Sequence, residues 1–146
     1  MKIYLIGSLR NTRIPDIANA LASDPQLGGH EVFADWFSPG PEADGFWKAY
    51  EERRGRDFLT AIKGPHAKHV FDYDKKWLDW AEVAVLALPA GRSAHLELGY
   101  MIGQKKPTAI LLDEPNPERW DIMYRFADLI TPDICELYEW LGSFWK

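Results

Sequence analysis

Cysteine is nearly absent. Cys135 stands alone among 146 residues, which excludes an internal disulfide and a cysteine-built zinc site. Positive charge is in short supply. Lys and Arg total 17 against 22 Asp and Glu, a net charge of -5. That balance argues against a nucleic-acid coat or a binder of anionic membranes, while leaving room for a local basic pocket. No apolar run is long enough to cross a bilayer, and the apolar part of the opening MKIYLIGSLR is too short for a signal peptide. Internal repeats and low-complexity segments are also missing. The expectation is a cytoplasmic chain forming one domain over 1–146, with no nucleic-acid polymer and no membrane as partner.

Aromatic residues are abundant: seven Trp, six Tyr and seven Phe. Most are expected in the core, and some as stacking surfaces for a planar ligand. Charged residues at 27% and hydrophobic residues at 47% fit a globular chain. Its length suffices to bury about two-thirds of the unfolded surface.

Strand and helix signals alternate. Lys2–Ile6 is a short apolar run ended by Gly7-Ser8, a buried strand. Pro15–Ala22 reads as a helix with Pro15 in its first turn, and Gly28-Gly29 as a break. His30–Ala34 alternates toward a second strand, followed by the Pro/Gly-rich loop DWFSPGPEADG. Phe46–Ile62 is helical, with two turns of helix on either side of a weak point at Gly55, and His66–Ala81 is helical again. Val83–Leu88 is a continuous apolar strand, closed by Pro89-Ala90-Gly91. Ser93–Gln104 is a helix with Ser93 as N-cap, and Pro107–Leu112 a further buried strand. A helix at Glu118–Ala127, a short strand at Leu129-Ile130 and a helix from Pro132 to about Leu141 complete the chain. Apolar strands separated by helices predict an α/β fold: a doubly wound, flavodoxin-like, five-stranded parallel sheet in the order 2-1-3-4-5, with helices on both faces. In such sheets ligands sit at the carboxyl ends of the strands. That singles out Gly7–Arg13, Asp35–Asp44 and Pro89–Glu97.

Two carboxylates fall on apolar helix faces. Glu97 is the only acid in SAHLELGYMIGQ, beside Ala94, Leu98, Met101 and Ile102. The helix dipole there favours its ionised form and partial burial opposes it. Asp74 interrupts the stripe Val70, Trp77, Leu78, Ala81. A polar group in that position must be hydrogen-bonded or functional. Each acid alone also fits a structural role, a dipole complement for Glu97 and a cap or salt-bridge acid for Asp74. Asp72 and Asp79 read as solvated. Together Glu97 and Asp74 suggest glycosidic chemistry, in which one carboxylate attacks the anomeric carbon and a second acid lies close by.

Arg10 and Arg13 follow the first strand and Arg92 the third. Gly7, Ser8, Gly91 and Ser93 offer backbone N–H groups and hydroxyls at loop-to-helix junctions, an arrangement suited to anions. Either solvated arginines or a phosphorylated substrate would account for this pattern. Trp36 and Phe37 are candidates to stack a base, or to pack their loop.

Other motifs fail on spacing. GSLRNTR matches neither the dinucleotide fingerprint nor the Walker loop. His95-Leu96-Glu97 is half of a zinc-deaminase motif whose cysteines are missing. His66 and His69 have no clear third metal ligand. Arg53, Arg54 and Arg56 alternate with Glu51, Glu52 and Asp57, a solvated helix face. Cys135, in an apolar helix, is expected in the core.

The segments IYLIGSLR, D-x7-E-V-A-V-L-A-L from Asp74, and GRSAHLELGYMIGQKKP resemble the nucleoside 2-deoxyribosyltransferase family and its relatives, the 2'-deoxynucleoside 5'-phosphate N-hydrolases. The resemblance runs from Met1 through Leu112 and is weaker across Asp35–His69. It implies that Glu97 is the nucleophile, that Asp74 assists proton transfer to the leaving base, and that Tyr4 positions the nucleophile. It implies that GSLR lines a nucleoside or nucleotide site and that the chain is a homo-oligomer whose neighbour completes the site. The Trp120–Asp128 region is the candidate for that contribution. Gly91 stands where transferases often carry an aspartate and hydrolases a serine. No metal or organic cofactor is required. A non-catalytic nucleotide-binding module, and an assembly component using Tyr138, Trp140, Phe144 and Trp145, are the alternatives.

Overall fold

The computed structural model describes residues 1–24 and 30–145; the Gly28-Gly29 break lies outside them. Five strands form one parallel sheet: β1 (Lys2–Ile6), β2 (Glu31–Phe33), β3 (Val83–Ala87), β4 (Thr108–Leu111) and β5 (Leu129–Thr131). Their order is β2-β1-β3-β4-β5, every neighbouring pair parallel. The chain runs outward from β1 to β2, then returns past β1 to β3. The β1/β3 pair is therefore the topological switch point, where the loops leaving the two strands diverge and open a crevice.

The helices are α1 (Ile14–Ser23), α2 (Ala43–Arg53), α3 (Phe58–Ala61), α4 (Pro65–Trp80), α5 (Arg92–Gly103) and α6 (Ile134–Gly142). Side chains alternate across each strand, so the sheet carries two cores. Ile3, Leu5, Val83, Val85, Ala109 and Leu111 pack against α1 and α6 through Ile14, Ile17, Leu21, Leu137 and Leu141. Tyr4, Ile6, Ala84, Leu86 and Ile110 pack against α4 and α5 through Leu78, Ala94, Leu98 and Met101. The parity of position 4 thus turns Tyr4 toward the two helices that carry Asp74 and Glu97.

Several boundaries depart from expectation for local reasons. The stretch Phe46–Ile62 is helical on both sides of Gly55, as expected, with shifted bounds. α2 starts earlier, at Ala43, and ends at Arg53. Gly55 follows in the left-handed region at φ 73°, which glycine adopts at low cost. α3 then restarts behind Asp57, whose side chain accepts the Thr60 N–H. Glu118–Ala127 is only a 3-10 turn at Ile122–Phe126, opened by the Asp121 side chain. Ser93 is not the N-cap of α5: the helix begins at Arg92, Gly91 holds the cap position, and Ser93 lies exposed within the first turn. Cys135 is exposed; α6 buries Leu137 and Leu141 instead. Val70 is also exposed, so the apolar stripe of α4 meets the sheet only in its C-terminal half. Glu51 is buried rather than solvated and pairs with Arg56 at 2.8 Å.

Candidate active site

Three elements deliver three polar groups to the helix-covered face beside the switch point. β1 supplies Tyr4, α4 supplies Asp74 and α5 supplies Glu97. Tyr4 is fully buried in the sheet, and its hydroxyl has no hydrogen-bond partner. Its ring packs on Phe33 at 5.1 Å, Phe33 stacks on Trp77 at 4.5 Å, and Trp77 meets Trp80 edge-on. This aromatic column joins β1 and β2 to α4, the helix that carries Asp74.

The electrostatics shows that the three groups interact. Burial pushes the Glu97 carboxyl from its ordinary 4.5 up to about 8, with the Asp74 charge acting in the same direction. Burial therefore outweighs the dipole of α5. Asp74 is also raised, by burial. Tyr4 is raised by burial first, then by the charges of Glu97 and Asp74, so its hydroxyl keeps its proton and remains a donor. Two carboxyls held in one poorly solvated place share protons and titrate as a pair.

The relative placement of Asp74 and Glu97 is fixed by a bridge between their helices that the sequence did not signal. Asp79, one turn beyond Asp74 on α4, accepts hydrogen bonds from the Tyr100 hydroxyl at 2.5 Å and the Gln104 amide at 3.2 Å, both at the C-terminal half of α5 or just past it, and from Lys75 at 2.7 Å. These donors hold the Asp79 carboxyl down at about 2. Asp79 is exposed as expected, yet it ties α4 to α5. Lys106 adds a clamp, donating to the Leu78 and Asp79 carbonyls at 2.9 Å each.

The loops at the strand ends converge through Asn11, also missed in the sequence. Asn11 is buried and donates to the Ala87 and Leu88 carbonyls at 3.4 and 3.3 Å, joining the β1 loop to the end of β3. Arg13 reaches Leu88 O at 3.5 Å. The Ser8 hydroxyl accepts the Arg10 N–H at 3.1 Å within its own turn. Arg10, Arg13, Gly91, Arg92 and Ser93 are exposed. Among the described residues, none of these arginines forms an ion pair, and none contributes to the shift of Glu97. The structure brings Gly7–Arg13 against the end of β3 and leaves the arginines exposed at the surface.

Trp36 is half-buried and committed to structure. Its indole N–H donates to Leu5 O at 2.8 Å, and its ring lies 3.3 Å from where a Cβ on Gly7 would stand. Phe37 packs beside it, edge to face at 5.9 Å. Gly7 is small because Ile14 occupies the space: an added Cβ would meet its Cδ1 at 2.5 Å.

Among the described residues no group of three or more His, Cys, Asp or Glu is arranged to hold a metal ion, and no helix is long and apolar enough to cross a membrane. A cavity of about 430 Å³ lies at the start of β4, lined by Lys105, Thr108, Phe126, Trp140 and Phe144, remote from the carboxylate pair.

No protein-family model and no curated protein matches the chain. Among solved structures, the fold is similar to that of a 2-deoxyribosyltransferase from the psychrotolerant bacterium Bacillus psychrosaccharolyticus. The two superpose with a TM-score of 0.62 over 94% of this chain and 90% of that one, at 20% identity. At that identity the likeness is one of fold.

Proposed function

We propose that this chain cleaves the N-glycosidic bond of a (deoxy)nucleoside or nucleoside 5'-monophosphate, with Glu97 as nucleophile. One observation carries the reading: Tyr4, Asp74 and Glu97 come from three separate elements and interact electrostatically in one largely buried cluster beside the switch point. A structural role gives no reason to gather two acids and an unpartnered hydroxyl where each raises the cost of the other's charge. The fold shared with a 2-deoxyribosyltransferase supports the same chemistry.

In the proposed reaction the Glu97 carboxylate attacks C1' and the C1'–N bond breaks. The bond's electron pair stays on the base, which takes a proton from Asp74. The glycosyl ester on Glu97 is then attacked at C1' by water or by a second base, whose proton passes to Asp74 as Glu97 leaves. In the reacting complex the Tyr4 hydroxyl, unpartnered in the free protein, donates a hydrogen bond to the nucleophile and fixes its orientation. In the free protein Glu97 binds its proton up to about pH 8. The reactive form carries the shared proton on Asp74, and positive charge developing at C1' favours that redistribution.

Arg10, Arg13, Arg92, Ser93 and the N–H groups at Gly7, Ser8 and Gly91 are proposed to meet the sugar or a 5'-phosphate. Trp36 and Phe37 wall the base side. Homo-oligomerisation is part of the reading. Leu96 on α5 and Trp120, Ile122, Met123 and Phe126 beyond β4 expose large apolar side chains, which a second copy would cover. Sedimentation of wild type and Trp120→Ala tests this: an assembly weakened by the substitution is expected, and a monomeric wild type removes it.

The activity is tested by incubation with ribo- and deoxynucleosides and their monophosphates, with and without a second base, read by chromatography. Released base or an exchanged nucleoside, abolished in Glu97→Gln, is the expected result. Ligand binding with no base released, and indifferent to Glu97, would instead mark a nucleotide-binding module.

A further inference from the structure

We propose that His95 is a positioning residue: by tying the Gly91 carbonyl to Tyr124 it sets the first turn of α5 and with it the aim of the Glu97 carboxylate. This rests on the reading of Glu97 as nucleophile. α5 begins with little to hold it. Its cap residue is Gly91, and no side chain caps the exposed N–H groups. A Cβ on Gly91 would meet nothing within 4 Å, so the loop is not wedged by packing. The backbone bond that closes the turn, His95 N–H to Gly91 O, is long at 3.3 Å. A helix start with these properties frays readily.

The His95 ring supplies the missing constraint. Its Nδ1 lies 2.6 Å from the same Gly91 oxygen, its Nε2 lies 2.8 Å from the Tyr124 hydroxyl, and its face stacks on the Tyr124 ring at 5.7 Å and 20°. A carbonyl oxygen only accepts, so Nδ1 carries the proton; Nε2 of the neutral ring then accepts from the tyrosine hydroxyl. Tyr124 is anchored in turn, packing against the core under α4 and α5 while its carbonyl accepts the Ala127 N–H at 2.9 Å. The entry to α5 is thereby fastened to a segment 29 residues downstream.

His95 and Glu97 are two residues apart, about 200° around a helix. The imidazole therefore works from the far side of α5, and its influence passes through the backbone of the turn. For a nucleophile attacking one carbon, a displacement near 1 Å suffices to cost about 100-fold in rate.

Amide side chains separate the two bonds, because Asn places an N–H near the position of Nδ1 and Gln near that of Nε2. His95→Asn keeps a donor for Gly91, His95→Gln keeps only the reach to Tyr124, and Tyr124→Phe keeps the ring stack and the Gly91 bond. The measurements are kcat and KM for base release with the best substrate of the nucleoside and nucleotide panel, and amide hydrogen exchange over residues 91–97. His95→Ala and His95→Gln are expected to lower kcat by roughly 30- to 100-fold with KM changed by less than about threefold, and to speed exchange in the first turn. Tyr124→Phe, which keeps the stack and the Gly91 bond, is expected to stay within about fivefold of wild-type kcat, and His95→Asn, which holds Gly91 but not Tyr124, to fall between it and His95→Ala. Unchanged kcat in His95→Ala, or equal losses in all four variants that track a lowered Tm, would overturn the proposal. If wild type releases no base, or Glu97→Gln matches it, the functional reading fails; unaltered exchange in His95→Ala then also removes the positioning role.

Discussion

Replacing Glu97 with glutamine is expected to stabilise the protein, increasingly as pH rises above 4.5. Folding raises the Glu97 carboxyl from 4.5 to about 8, so the folded state binds this proton more tightly than the unfolded chain does. Its stabilising contribution is complete below pH 4.5, declines as pH rises through the window, and is gone above about 8. Above that point the buried charge opposes folding by the whole difference, on the order of 5 kcal/mol; at pH 7 linkage gives about 3 kcal/mol. Glutamine has nearly the same shape and no charge to desolvate. Glu97→Gln should therefore exceed wild type by about 3 kcal/mol at pH 7, roughly 10 °C in Tm for a chain of this size, and match it near pH 4. Urea unfolding at pH 4, 5.5, 7 and 8.5 measures the difference directly. Equal stability of the two proteins at pH 8.5, or an advantage that shrinks as pH rises, would refute the burial of this carboxyl. A stabilising substitution that abolishes turnover is the signature of a group retained for chemistry.

The same burial sets the pH dependence of turnover: the reactive pair holds one proton, so kcat/KM should fall as pH rises through about 8, where that proton is lost. In Asp74→Asn the proton donor is gone, so that alkaline fall should disappear while kcat drops by about 10²- to 10⁴-fold; an unchanged profile would disconnect the pair. Tyr4→Phe removes a buried hydroxyl that has no partner, so unfolding should show unchanged or slightly greater stability, by up to about 1 kcal/mol. Its base release should fall roughly 10- to 100-fold, the worth of one hydrogen bond to a charged group; unaltered turnover would remove Tyr4 from the site. Gly91→Ser meets open space at an ordinary φ of −94°, so its stability should stay within about 0.5 kcal/mol of wild type. Its hydroxyl should raise the use of 5'-monophosphates relative to nucleosides, read from the ratio of kcat/KM values; an unchanged ratio would place Gly91 away from the phosphate.

Much of this was legible in the chain because it rests on period and parity. Continuous apolar runs at 2–6, 83–88 and 107–112 separated by helices foretold parallel strands and their order. Asp74 and Glu97 stood out as acids on apolar faces, and the alternation of β1 turns Tyr4 toward them. What stayed hidden depends on partners distant in sequence. Asp79 reads as a solvated acid until Tyr100, 21 residues on, is placed against it. Glu51 looks like one charge among many, yet the α2–α3 corner buries it against Arg56. The helix expected at Glu118–Ala127 failed where Asp121 bonds its own turn at Met123 instead, a local competition to which apolar spacing is blind. Trp36, picked out for its exposed-looking loop, is drawn inward by the Leu5 carbonyl.

The most direct measurement is the mass of the protein quenched in acid during turnover, followed by peptide mapping. The account predicts an added glycosyl group on the peptide containing Glu97, lost in Glu97→Gln and discharged when water or a second base is supplied. Base release at wild-type rate with no adduct on that peptide, or with the adduct on another residue, would contradict it.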